Sequence, residues 1–294
     1  MQPEYRELLS SSFEAYLDRL ADGQMEPSER FLPFDFPFIE GRQWHLLAQE
    51  MIACDLRELT NLLNHWQSAL HRWHAWNDVL SGQKDESAWD LRHEFLESLA
   101  HDCLLRPSSV RDALVAVATA ALHQVRLSLP GQYRDYLEGD PVKPDDKPKH
   151  LSRRRKEEQL ARLASVWPEA SAFLAALAVL DSKAYRSATS DYRNLTSHAI
   201  GPRLGLGHTR TVTRTVGQAT KTEEQGDGTV REVLIPGKMA VWYGYGGTPP
   251  LNLDEARLKN LEQFAAARAS YGEYLRLLEA AVANILPTRP RTDA

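Results

Sequence analysis

The sequence predicts a mainly α protein, an up-and-down helical bundle of long helices with a small β-meander inserted before the last helix. Three observations carry that prediction. Ile52, Leu56, Leu59, Leu63, Trp66, Leu70 and Trp73 alternate steps of four and three, which keeps one apolar stripe facing a neighbouring helix. Near the C-terminus, Leu258, Leu261, Ala265, Arg268, Tyr271, Leu275, Leu278, Val282 and Ile285 repeat such a seam, with Arg268 interrupting it. Between the two, residues 208–220 alternate Thr, Arg and Val with a period of two and are rich in β-branched side chains, as a strand requires.

Composition narrows the class. The 294 residues are 43% hydrophobic and 26% charged, ordinary for a globular protein that can bury a core. A net charge of −5 gives no global attraction to nucleic acid, but leaves room for a local basic site. Cys54 and Cys103 fall within helical patterns without paired spacing, which fits reduced core thiols rather than a disulfide framework. The N-terminus is charged and lacks an apolar signal core, and the longest apolar run, 173–180, is too short to span a bilayer. The expectation is a soluble, cytoplasmic protein that makes no use of a membrane.

In chain order, residues 4–20 form a helix, and Pro27, Pro33 and Pro37 among Phe31, Phe34, Phe36 and Phe38 make an extended aromatic segment draped over the core. Residues 1–40 therefore form an N-terminal helix and aromatic arm, and 41–294 the bundle proper. The first long helix covers 43–80. His71, His74 and Asp78 share one of its faces, and His93, Glu97 and His101 share a face of the next helix. Such spacing suits a metal, but on the second helix these groups lie away from the apolar side. A solvated polar face is expected, and neither metal nor cofactor. Pro107 opens a further helix whose Ala-rich body ends at Pro130-Gly131, with His123 a satisfied core histidine. Residues 138–156, with Pro141, Pro144, Pro148 and dense charge, read as an exposed, mobile loop ending in the basic run 153–156. Helices resume to residue 180. The insertion at 208–246 reads as three strands, 208–220, 230–235 and 239–245, with turns at 224–228 and Pro236-Gly237. A long helix over 253–286 closes the chain, and the tail from Pro287 is frayed.

The stretch 181–210 gathers the chemistry. Its helix is expected to stop at Gly201-Pro202 and carries Arg193, Asn194 and His198 in its last turns. Asn194 and His198 are four apart and share a face, whereas Arg193 lies about 100° around. An imidazole at a helix end can both take and give a proton, and an arginine fork suits a phosphate. Arg, Asn and His with neither a carboxylate pair nor a metal fit transesterification of RNA. There the ribose 2′-OH is the nucleophile, and the protein supplies proton transfer and a cation for the developing charge. Arg203, His208, Arg210 and Arg214 follow closely as candidate RNA contacts, with Arg210 and Arg214 expected on one face of a strand.

The run Arg193-Asn194-Leu195-Thr196-Ser197-His198 resembles the Arg-x(4–6)-His motif of the HEPN superfamily, with the polar residue that those proteins place after the arginine. A second match, Arg203 to His208, spans Gly205 and Gly207 and has Leu204 in the polar position. The resemblance implies a small helical bundle, a homodimer with a composite active site, and a metal-independent endoribonuclease. It implies Arg193 and His198 as catalytic with Asn194 assisting, and a toxin or defence effector restrained by an antitoxin or regulatory protein. The alternative is a non-catalytic HEPN-like dimer kept as a binding or regulatory module.

Overall fold

The structure is a computed structural model that describes residues 2–288. The chain forms two compact units: one from the segment up to Ala188 together with that from Asp254 onward, the other Thr189–Leu253. The first is helical, with α1 (Pro3–Ala21), α2 (Ala48–Ser81), α3 (Asp85–Leu91), α4 (Glu97–Ser128), α5 (Arg153–Ala164), α6 (Ala170–Val179), α7 (Lys183–Ala188) and α9 (Leu253–Ala283). The second holds α8 (Tyr192–His198) and an antiparallel ribbon of β1 (Val212–Glu224) and β2 (Val230–Tyr245). Among the described residues, no helix is long and apolar enough to cross a membrane.

The seam of α2 is the axis of the helical unit. Ile52, Leu56, Leu63, Trp66, Leu70 and Trp73 have no exposed surface. The helix packs on α1 and α4, and α4 on α5. The last helix joins it through the Phe264 ring, set edge-on to Trp66, and through the Tyr271 hydroxyl, 2.7 Å from that of Thr60. The register of α9 differs from the expected seam in its first half. Leu258 is exposed, and the buried positions are Leu253, Ala256, Asn260, Gln263, Phe264 and Ala267. The reason is polar satisfaction. Asn260 accepts from Trp66 Nε1 at 2.8 Å and donates to the Cys103 carbonyl at 2.8 Å, while Gln263 accepts from the Asp181 backbone N–H at 2.7 Å. Buried amides with every partner in place can hold seam positions that hydrophobicity alone would assign elsewhere.

Pro107 does not open a helix. It lies inside α4, which follows α3 through one π-helical turn at Arg92–Leu96. A proline there leaves the carbonyl four residues back without its helical donor. That carbonyl is Cys103 O, and the Asn260 side chain supplies the missing hydrogen bond.

Other expectations meet local corrections. Cys54 is exposed, and only Cys103 is a core thiol. The first long helix begins at Ala48 instead of residue 43. Phe36 is buried, but Phe31 and Phe34 stay half exposed. The face of His74 is not a solvated one: its ring lies between Arg19 (3.2 Å) and Arg257 (2.7 Å), with Asp78 and Glu26 within 3.7 Å. His71 instead meets the Pro27 carbonyl at 2.7 Å, and His93 pairs with Glu97 at 3.3 Å. Among the described residues, no group of three His, Cys, Asp or Glu side chains is arranged to hold a metal. His123 is buried between the Tyr133 hydroxyl and Asp135, each 2.8 Å away. The three arginines of the basic run form ion pairs within the helical unit: Arg153 with Asp112 and Asp181, Arg154 with Glu158 and Arg155 with Glu138. The loop before it is exposed and pinned by Lys149 N–H on the Gly139 carbonyl. Pro287 and Thr288 are tied to Arg42 and Gly41, and the rest of the expected frayed tail lies outside the described residues.

In the smaller unit the expected three-stranded meander is a two-stranded ribbon. The second and third strands are one, β2, which continues through Pro236-Gly237 with a register irregularity opposite Ala219. A ribbon of two strands has only edges, so a proline without an N–H need not break it.

Candidate functional site

The helix expected to run unbroken toward Gly201 is interrupted. Ser190 and Asp191 both take left-handed backbone with φ 52°, and this separates α7 from α8. Such residues start turns, because Ser and Asp offer the backbone local hydrogen-bonding alternatives to the helix. The seven-residue α8 then begins at Tyr192 and ends at His198. The backbone leaves the helical range at Ala199, with φ −152°, and Gly201 then approaches Thr196 so closely that any side chain there would collide with the threonine hydroxyl. Pro202 follows, buried.

Within α8 the motif side chains form a short relay. Asn194 donates to Asp191 Oδ1 at 2.8 Å and accepts from Arg193 Nη1 at 2.9 Å. The carboxylate fixes which way the amide faces, and the amide oxygen then orients the half-buried guanidinium. The remaining guanidinium N–H groups have no hydrogen-bond partner among the described residues, so they can serve an anion. His198 is exposed at the last helical position, and among the described residues no hydrogen bond or ion pair fixes its ring. Arg193 and His198 lie about 7.5 Å apart along the axis and roughly 140° apart around it, from five residues of helical rise and turn. Within one chain they therefore diverge.

Of the candidate RNA contacts, Arg203, His208, Arg210 and Arg214 are all exposed, and none of the arginines enters an ion pair among the described residues. Arg203 and His208 sit in the loop anchored by the Leu204–Leu251 bridge, where the Arg203 stem runs against Gly207. That loop, not a helix, carries the second Arg–His match. Arg210 and Arg214 do not share a strand face. Arg210 precedes β1 in left-handed backbone, with φ 58°, whereas Arg214 stands opposite Tyr243 within the ribbon. The residue that motif reasoning missed is Asp191 as the anchor of the relay. Its signal was local, a carboxylate three residues before Asn194 at a helix start.

Three surface concavities, of about 520, 410 and 640 Å³, are lined by the helical unit, and none of the three touches Arg193, Asn194 or His198. Comparison of the chain with protein-family models, with curated proteins and with solved structures finds no match.

Proposed function

We propose that the chain is a metal-independent endoribonuclease of HEPN type, acting on RNA in the cytoplasm as a toxin or defence effector under an antitoxin or regulatory partner. The observation that carries the reading is the relay Asp191–Asn194–Arg193, which aims a guanidinium with open donors, in the same short helix as an unengaged His198. In this reading the imidazole takes the proton from the ribose 2′-OH, the oxygen attacks the adjacent phosphorus, and Arg193 stabilises charge on the phosphorane oxygens. The 5′-oxygen leaves with a proton from a second imidazole, and a 2′,3′-cyclic phosphate remains. Because Arg193 and His198 diverge around one helix, a second copy of the chain completes the cleft. Arg203, His208 and Arg210 are proposed to contact the RNA backbone, whereas Arg214 stands apart from them, within the ribbon. Unpaired Cys54 and Cys103 suit a reducing compartment.

A second reading has its own support. The relay also closes the start of α8 on itself, as a purely structural network would, and this favours a non-catalytic HEPN-like dimer serving as a binding module. One experiment separates the two. Mixed-sequence RNA is incubated with the protein in EDTA, and the fragment ends are mapped. Cyclic-phosphate ends from the parent are expected, with His198→Ala slower by about 10²–10⁴-fold, the usual contribution of a proton-transfer group. Equal cleavage by Arg193→Ala/His198→Ala would remove the site. Absence of cleavage by a folded parent would favour the binding module.

A further inference from the structure

The ribbon of β1 and β2 has one face that is apolar and exposed. Paired rows in an antiparallel ribbon alternate between faces. One face carries Thr213 with Gly244, Thr215 with Trp242, Gly217 with Ala240, and then Ala219, which is buried; the Trp242 indole lies over Gly217. The other carries Val212 with Tyr245, Arg214 with Tyr243, Val216 with Val241 and Gln218 with Met239. Beyond the irregularity β1 keeps its alternation, and the same face continues as Thr220 with Leu234, Thr222 with Glu232 and Glu224 with Val230. Every large apolar side chain of this second face is exposed, up to 72% for Tyr243 and 96% for Tyr245. An isolated two-stranded ribbon is marginal in water, and a contiguous exposed apolar face marks a docking surface.

Charge along this face identifies the occupant. No acidic residue occurs between Tyr192 and Thr222, whereas Glu223, Glu224, Asp227 and Glu232 cluster at the tip. On the apolar face, Arg214 stands near the base, with Glu232 and Glu224 near the tip. Taking the Gln218–Met239 row as centre, Arg214 lies four residues to one side and the Thr222–Glu232 row four residues to the other. A copy turned end for end about that row therefore sets the Arg214–Tyr243 row against the other's Thr222–Glu232 row, with Arg214 diagonally across from Glu232, and the Val216–Val241 row against Thr220–Leu234. That is the self-complementarity of a two-fold interface. A nucleic acid lying along the face would meet one arginine and two glutamates, a poor match for a phosphate backbone.

We infer that this face binds the same face of a second copy of the chain, antiparallel, with Arg214 paired to Glu232 across the two-fold axis. The inference does not rest on the ribonuclease reading. With 13 residues in β1, a strand rise of about 3.3 Å and a ribbon roughly 10 Å wide give on the order of 400 Å² per copy, small beside stable interfaces. The expected association is therefore weak, on the order of micromolar.

Sedimentation equilibrium of the full chain over a concentration series tests it. A reversible doubling of mass is expected, abolished by Val216→Asp/Val241→Asp. Arg214→Glu and Glu232→Arg are each expected to weaken it about tenfold through like-charge contact, and the two together in one chain to return it to within about twofold of the parent. That recovery also excludes misfolding as the cause of the single losses. No doubling up to roughly 0.5 mM, a range that covers weak association, would overturn the inference. So would a doubling that ignores Val216→Asp/Val241→Asp, or a double swap no better than its singles. If instead the parent stays monomeric and binds a single-stranded oligonucleotide that Tyr243→Ala/Tyr245→Ala does not, the ribbon serves nucleic acid and the inference is likewise overturned. Cleavage at Arg193 and His198 is scored separately, so neither failure is mistaken for the other.

Discussion

The α2 seam and the exposed face of the β1–β2 ribbon are both regular apolar stripes, yet they meet opposite fates. Leu63, Trp66 and Leu70 are wholly buried, whereas Val212, Tyr243 and Tyr245 are more than half exposed. Periodicity alone does not distinguish them. A step of four and three produces a stripe that other helices of the chain can cover, whereas the large apolar side chains of the period-two stripe stay exposed. A regular stripe thus announces an interface and leaves open whether its partner lies in the same chain.

That contrast can be broken most forcefully at its buried end. Trp66→Ala should lower unfolding free energy by about 3–5 kcal/mol, the range for emptying a core aromatic site, whereas Tyr243→Ser should stay within about 0.5 kcal/mol at concentrations where the chain is monomeric. Urea melts of the two variants read both numbers, and comparable losses would erase the distinction. Next in size comes Asn260→Leu, which leaves Trp66 Nε1 and the Cys103 carbonyl without their partner and should cost about 2–3 kcal/mol. Adding Pro107→Ala restores a backbone N–H able to reach that carbonyl and should recover about 1 kcal/mol, the net worth of one hydrogen bond. No recovery would mean that the Asn260–Cys103 contact does not stand in for the missing helical bond.

The smallest expected effect is a pH slope. Burial, then the Arg257 guanidinium and Arg19, hold the His74 imidazole below its ordinary 6.5, against the opposing pull of Asp78 and Glu26. The unfolded chain then binds the proton more readily than the folded one, so stability falls as pH drops through about 6.5, the ordinary imidazole range. His74→Gln should flatten that part of the stability profile, measured by urea melts between pH 7.5 and 5.5. An unchanged slope would place the acid sensitivity elsewhere.

Much of the helical unit could be read from the chain, because a seam is a property of consecutive residues. The α2 stripe needs only spacing and hydrophobicity, and each of its predicted members from Ile52 to Trp73 is buried. The first half of α9 resisted the same treatment, since Asn260 and Gln263 look like surface residues until their partners are known. The candidate site divides similarly. Arg193, Asn194 and His198 stand out by type and spacing, and Gly201-Pro202 correctly forecasts that the helix stops. The left-handed pair Ser190-Asp191, which starts α8 and supplies the carboxylate of the relay, does not stand out. The ribbon's strand alternation was legible, but Pro236-Gly237 looked like a turn because a two-edged ribbon tolerates what a central strand would not.

By itself, then, the sequence determined the long helices, the period-two segment and the cluster of Arg, Asn and His, all consequences of local spacing and backbone preference. Only the tertiary structure decided that α4 passes straight through Pro107. The donor that Pro107 lacks comes from Asn260, which bonds a carbonyl 157 residues away in sequence. No local pattern can report a hydrogen bond that exists only once two distant helices have packed.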